Sequence, residues 1–61
     1  MTRTIIKDAY IRHYGDNGQT TGYVEWSDGS RTEGNPRGLH MEALFARFRR
    51  ETGRKVRRET W

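Results

Sequence analysis

The chain has 61 residues, enough for one small domain, and it lacks cysteine, so neither a disulfide nor a zinc–thiolate site can stabilise it. Of its residues 33% are charged, its formal net charge is +4, and no apolar run approaches the length of a membrane-spanning helix. The N-terminal segment has only two consecutive apolar residues, too few for a secretory signal. We therefore expect a cytoplasmic protein with no membrane contact, whose small core leaves a homodimer open as an oligomeric state.

The positive charge is concentrated at the C-terminal end. Residues 47–61 hold seven basic and two acidic side chains, whereas residues 1–46 hold five basic and six acidic ones. A basic segment beside a nearly neutral body favours an anionic partner, such as nucleic acid or an acidic protein surface. The simpler interpretation is a solvated basic end that only aids solubility.

Three strands are predicted in the first half of the chain. Residues 4–14 and 19–26 are rich in β-branched and aromatic side chains and lack helical spacing. Between them, Gly15-Asp16-Asn17-Gly18 is a strong turn sequence, because Asn and Gly tolerate positive φ. Asp28-Gly29 forms a second turn, and residues 30–33 form a short third strand. Two successive short turns predict an antiparallel meander.

The length of the first turn decides which side chains share a sheet face, since a slip of one residue turns a strand over. A two-residue turn sets Ile11 opposite Val24 and Ala9 opposite Trp26, and a four-residue loop keeps these four on one apolar face. The other face then carries the remaining side chains of the two strands: Tyr10, Arg12, Tyr14, Thr21, Tyr23 and Glu25. A three-residue loop would instead move two tyrosines into the core. We prefer the first partition because it buries no arginine.

For the second hairpin we predict a three-residue loop, Ser27-Asp28-Gly29, with Gly29 in the left-handed region. This loop sets Thr32 opposite Val24 and Arg31 opposite Glu25. A two-residue turn would point Arg31 towards the core.

An amphipathic helix is predicted over residues 36–52. Asn35 suits the N-cap and Pro36 the first helical position. Apolar side chains at i, i+3, i+4 and i+7 form one stripe: Met41, Leu44, Phe45 and Phe48. Gly53 is typical of a left-handed C-cap, and Arg49 and Arg50 in the last turn complement the helix dipole.

Residues 54–61 fit either a basic tail or a fourth strand that returns beside the sheet, and we prefer the strand. Val56 and Trp61 would then point to opposite faces unless the strand bends. The prediction is a single α+β domain over residues 1–61, a three-stranded antiparallel meander followed by one helix and a short fourth strand, with the helix covering one sheet face. The core is expected to contain Ile11, Val24, Trp26, Met41, Leu44, Phe45 and Phe48. Trp61 joins it if the C-terminal end is ordered.

Two surfaces are candidates for binding. On the sheet face away from the helix, aromatic rings alternate with arginines, a combination that suits both base stacking and protein interfaces. These side chains are Tyr10, Arg12, Tyr14, Tyr23 and Arg31. The second surface is the basic C-terminal end, which could neutralise several phosphates. Its predicted contacts are Arg47, Arg50, Arg54, Lys55, Arg57 and Arg58, with Trp61 as an aromatic anchor.

Patterns for catalysis or metal binding are weak. His13 and His40 are the only histidines, and they have no cysteine or second histidine at ligand spacing. Asp16 and Asp28 are explained as turn residues. The glycines sit at turns and helix ends and form no phosphate loop. We therefore expect a non-enzymatic protein with no cofactor and no metal.

The order βββαβ, with Asp8 in the first strand and Glu42 within Met41-Glu42-Ala43-Leu44, resembles the first half of the ribonuclease H fold. The resemblance implies that Asp8 and Glu42 bind divalent metal in a nuclease. The family's third acidic residue closes the fourth strand, where this chain reads Thr60-Trp61, and Ala9 replaces the glycine that follows the family's first carboxylate. Because of these departures from the family's pattern, we still expect a non-enzymatic protein.

The first functional hypothesis is a small nucleic-acid-binding module. Three strands followed by a helix resemble the arm-binding domains of phage and transposon integrases, whose sheet enters the major groove, and this is an analogy of fold only. The alternative is a protein-binding or inhibitory module of phage or mobile-element type, homodimeric in one version. Self-association alone is a third hypothesis.

Overall fold

A computed structural model describes residues 5–61 and shows a four-stranded sheet with one helix. The elements are β1 Ile6–Tyr14, β2 Gln19–Trp26, β3 Arg31–Gly34, α1 Leu39–Thr52 and β4 Arg57–Thr60. The strand order in the sheet is β3-β2-β1-β4, with β1, β2 and β3 antiparallel and β4 parallel to β1. The predicted α+β fold and its βββαβ order are confirmed. The predicted start of the first strand, Thr4, lies outside the described residues.

The first hairpin has the predicted face partition but a longer turn. Tyr14 pairs with Gln19, so the loop has four residues instead of the two of an Asn-Gly turn. Ala9 therefore lies opposite Val24 and not opposite Trp26. Within the loop, the asparagine side chain accepts the amide N–H of Gln19 at 2.9 Å, which stabilises the longer connection. A difference of two residues in pairing leaves both faces unchanged.

The second hairpin has the predicted register. Val24 pairs with Thr32 and Glu25 with Arg31, and Gly29 has a φ of 90° in the left-handed region. These pairings confirm the three-residue loop.

A bulge in β1 adds a residue to the core that the sequence pattern does not reveal. The register with β2 shifts between Ile6 and Asp8, so that Ile6 pairs with Trp26. The extra residue rotates Ile6 onto the same face as Ala9. Ile6 is consequently only 2% exposed.

The helix α1 begins later than predicted. The Asn35 side chain accepts the amide N–H of Arg37 and its carbonyl accepts that of Gly38, both at 2.9 Å, so this segment forms a separate turn. Gly38 is the N-cap, in an extended conformation and without a side-chain cap. The other end is as predicted: Gly53 has a φ of 70° and donates its N–H to the carbonyl of Arg49.

The core lies between α1 and one face of the sheet. It consists of Ile6, Ala9, Val24, Trp26, Met41, Phe45 and Phe48, with Ile11, Leu44 and Val56 half-buried at its margin. A Cβ atom on Gly22 would lie 2.9 Å from the ring of Phe45, so glycine in β2 lets the helix approach the sheet. The expectation that Trp61 joins this core is wrong. Its side chain is 66% exposed and lies against the opposite face, because the residue parity of β4 turns it away from Val56.

Candidate nucleic-acid interface

The sheet face opposite α1, here called the arginine–tyrosine face, carries three tyrosines of β1 and β2 beneath arginine side chains. Tyr10 and Tyr23 are only 4% and 6% exposed, and their rings stack with centroids 5.1 Å apart. The guanidinium of Arg12 lies 5.6 and 5.1 Å from these two centroids. Arg57 lies 5.3 Å above Tyr10 and Arg31 lies 4.9 Å above Tyr23. Both rings were expected to be open to bases, and the long arginine side chains close them.

Arg12 is at the centre of the arginine–tyrosine face. Its guanidinium lies 4.3 Å from the ring centroid of Trp61 and 3.4 Å from a carboxylate oxygen of Glu59. Hydrogen bonding with Tyr14, followed by that with Glu59, raises the pKa of Arg12 against the effect of desolvation. The Arg12 side chain is only 20% exposed. It therefore holds the face together and is largely withdrawn from solvent.

The hydroxyl groups of Tyr14 and Tyr23 are 2.8 Å apart. This hydrogen bond lowers the pKa of Tyr14 and raises that of Tyr23, which is the pattern expected when Tyr23 donates. Burial raises the pKa of Tyr10, whose hydroxyl donates to Glu25 at 3.1 Å. The three hydroxyl groups are thus engaged within the face.

Carboxylates neutralise the arginines of this face. Arg57 donates to both oxygens of Asp8, at 3.0 and 2.8 Å, and Arg54 donates to the same carboxylate at 3.1 Å. Arg31 forms an ion pair at 3.6 Å with Glu33. Four arginines and four carboxylates therefore meet on the face and at its margin: Arg12, Arg31, Arg54 and Arg57 with Asp8, Glu25, Glu33 and Glu59. Their formal charges cancel.

Other cations have no carboxylate partner among residues 5–61. These exposed side chains are Lys7, Arg37, Arg49, Arg50, Lys55 and Arg58. Arg58 lies on the helix side of the sheet, because it pairs with Ile11 of the core margin. Arg49 and Arg50 lie in the last turn of α1. Lys7 lines a shallow pocket with Glu25 and Arg31 of the arginine–tyrosine face. Arg49, Arg50 and Arg58, by contrast, lie outside that face.

A cleft of about 490 Å³ opens on the helix side, beside the turn that precedes α1. Two of these cations line it, Arg37 from the turn and Arg58 from β4. His13 and Thr20 line it from β1 and β2, with the imidazole Nδ1 and the threonine Oγ1 3.2 Å apart. None of the carboxylates in residues 5–61 lines the cleft.

The structure divides the predicted binding residues into separate groups. Tyr10, Arg12, Tyr14, Tyr23, Arg31, Arg57 and Trp61 meet on the arginine–tyrosine face, with Arg54 at its margin. Arg47 pairs with Glu51 at 3.1 Å on the helix. Arg50, Lys55 and Arg58 retain no carboxylate partner in the described part of the chain. The cleft residues Arg37, His13 and Thr20 were not predicted, because they are distant from Arg58 in the sequence. Strand pairing brings His13 and Thr20 near Arg58, and the turn before α1 adds Arg37.

The two acidic residues of the ribonuclease H resemblance lie apart. Asp8 contacts Arg54 and Arg57, which follow the C-terminal end of α1, whereas Glu42 lies in the first turn of α1. The ten residues from Glu42 to the end of the helix span about 15 Å. Within residues 5–61, no three histidine, aspartate or glutamate side chains cluster as metal ligands.

No protein-family model, curated protein or solved structure matches the chain. The helix found in residues 5–61 is too short and too polar to cross a lipid bilayer.

Proposed function

We propose that this chain is a small non-enzymatic module that binds nucleic acid through its phosphates. The observation that carries the proposal is the division of charge between the two sides of the sheet. On the arginine–tyrosine face each arginine meets a carboxylate, whereas five cations of the helix side and the C-terminal segment have none among residues 5–61: Arg37, Arg49, Arg50, Lys55 and Arg58. Cations without counter-charges attract a polyanion and release its counterions.

The residues that carry binding then differ from those predicted from the sequence. Arg50, Lys55 and Arg58 remain exposed phosphate contacts, and Arg37 and Arg49 join them. A chain that binds with its arginine–tyrosine face, as the integrase analogy implies, would first have to separate Arg12 from Glu59 and Arg57 from Asp8. Binding on the helix side requires no such rearrangement.

The test compares two double variants with equal loss of positive charge. In the first, Arg50→Gln and Lys55→Gln remove cations without a carboxylate partner; in the second, Arg31→Gln and Arg47→Gln remove ion-paired cations. Fluorescence anisotropy with single-stranded and duplex oligonucleotides is measured over a salt series. The quantity compared is the slope of the logarithm of the binding constant against the logarithm of the salt concentration. For a single strand, we expect the first variant to reduce this slope by about 1.4, because each of two lost phosphate contacts contributes roughly 0.7. The second variant should change the slope less.

Failure of the wild-type chain to bind DNA or RNA at low salt would refute the proposal. If the salt slope changes equally in the two variants, the cations without a carboxylate partner do not carry binding more than the ion-paired ones, and that part of the proposal is refuted.

A protein partner is the second candidate, and exposed apolar side chains favour it. Trp61 is 66% exposed above Arg12, and Leu39 is 87% exposed at the start of α1. Tryptophan beside arginine is a composition enriched at interface hot spots. A partner that binds wild type and loses affinity for Trp61→Ala, with nucleic acid binding unchanged, would establish this function.

A further inference from the structure

The cleft on the helix side owes its shape to the short turn before α1. The helix begins only at Leu39, so it leaves the hairpin end of β1 and β2 uncovered. The turn formed by Asn35 closes one side of this space, and its volume of about 490 Å³ is that of a small-ligand site. The structure thus contains a concave surface at the end of the sheet that the core does not fill.

The cleft has one sign of charge. Arg37 and Arg58 reach it from different elements, and neither has a carboxylate partner within residues 5–61. A guanidinium group presents a planar set of donors that matches a phosphate. Two such groups at one cleft can bind a single phosphate from two sides.

The neutral polar groups of the cleft are held in position. His13 and Thr20 lie directly opposite each other on β1 and β2, and their hydrogen bond fixes the orientation of the imidazole. One ring nitrogen of His13 then remains for a ligand, and a ring of this kind can stack on a base. The side chain of Asn35 accepts the amide N–H of Arg37 and so fixes the backbone that carries this arginine.

We infer that this cleft binds one nucleotide of a single nucleic-acid strand, with its phosphate between Arg37 and Arg58 and its base against His13. The inference rests on the proposed function and assigns it a place and a substrate class. A single strand fits because a concave cleft can receive a nucleotide only when its base has left the stack. A duplex, whose bases are paired and stacked, meets the cleft only with its backbone.

The experiment measures the anisotropy of a fluorescent oligothymidylate of about 12 nucleotides and of the same strand in a duplex. One double variant, Arg37→Gln/Arg58→Gln, removes both charged side chains from the cleft. The control double variant, Arg50→Gln/Lys55→Gln, loses the same charge outside the cleft. Thr20→Val keeps the shape of the cleft wall and removes its hydroxyl. Thermal unfolding establishes that each variant is folded.

We expect the cleft double variant to weaken single-strand binding about tenfold or more and the control double variant to weaken it less, because only the former loses oriented charge-assisted hydrogen bonds. The wild type should prefer the single strand to the duplex. In NMR spectra, the oligonucleotide should shift the amide resonances of Gly18, Thr20 and Arg58 more than that of Tyr23. Should the double variant fail to fold, weaker binding by Thr20→Val together with these shifts would support the assignment.

Equal loss in the two double variants, or resonance shifts centred on Tyr23, would overturn the cleft assignment while leaving nucleic acid binding intact. Equal affinity for single strand and duplex would overturn the strand preference. Adenosine monophosphate that displaces the oligonucleotide and binds as tightly would show that the cleft takes a free nucleotide instead of a strand. A wild type that binds neither nucleic acid nor nucleotide would overturn both this inference and the proposed function.

Discussion

The two faces of the sheet are closed by different means. One face packs Val24 and Ala9 against Phe45 and Phe48 of α1, and among residues 5–61 no buried polar or charged residue lies in its core. In the described part of the chain, no helix covers the other face. There, stacked tyrosine rings are sealed by the side chains of arginines whose charges are neutralised by neighbouring carboxylates.

This difference follows from the size of the domain. In a chain of 61 residues, the one helix found in residues 5–61 can cover only one sheet face with an apolar layer. Arginine can cover the other, since its aliphatic stem packs on rings while its guanidinium stays hydrated or paired. Cations used in this way are no longer free to attract an anion, so the basic composition of the chain overstates the charge that is available for binding.

The largest effect is expected from the helix-side core. Phe48→Ala removes a ring that is 0% exposed and should cost about 3–5 kcal/mol, a large part of the stability of a small domain. Tyr10→Leu on the other face keeps apolar bulk but loses the stacking on Tyr23, the hydrogen bond to Glu25 and the ring contacts with arginine, so we expect about 1–2 kcal/mol. Urea denaturation measures both. Equal losses would mean that the arginine–tyrosine face is a second core of the same strength.

A smaller effect is expected when Arg12 is replaced without a change of charge. Arg12→Lys keeps the positive charge but removes the planar group that lies over Tyr23 and Trp61, which should lower the denaturant midpoint of unfolding. Arg31→Lys is the control, because that side chain is 49% exposed and should change stability less. Denaturant midpoints give the comparison. Nucleic acid affinity should remain unchanged in both, and a marked loss in Arg12→Lys would place binding on this face.

The smallest effect concerns acid pH and Glu59. Burial by itself would raise the pKa of Glu59, but hydrogen bonds from Trp61, Arg12 and Arg57 outweigh it and lower the pKa below its usual 4.5. The carboxylate therefore stabilises the fold fully above the unfolded pKa, and this contribution is lost as the pH falls through the lower folded pKa.

Glu59→Gln should accordingly be less stable than wild type at neutral pH and show a shallower loss of stability on acidification. Glu42→Gln, an exposed helix residue, is the control. Urea midpoints over the acid range test this, and parallel profiles for wild type and Glu59→Gln would contradict it.

The strands, the second hairpin loop and the helix stripe could be predicted because their signals lie within a few residues, whereas the first loop is two residues longer than predicted. Gly29 suits the left-handed position of a three-residue loop, and the length of that loop predicts the observed pairing of β2 with β3. The separation of Tyr10 and Tyr23 from Val24 followed from the two-residue period of a strand. Met41, Phe45 and Phe48 followed from the helical period.

The candidate site depended on contacts between residues far apart in the chain. Parallel pairing of β4 with β1 sets Arg58 beside Ile11 on the helix side and Glu59 beside Arg12 on the other face. No local propensity encodes that pairing, because its register arises when α1 has packed and returned the chain to the sheet edge. Apart from Ile6, which a bulge turns inward, the residue pattern alone therefore determined which side chains of β1 and β2 share a face. Tertiary packing decided which arginines cover the tyrosine rings and pair with carboxylates, and which remain exposed and able to bind an anion.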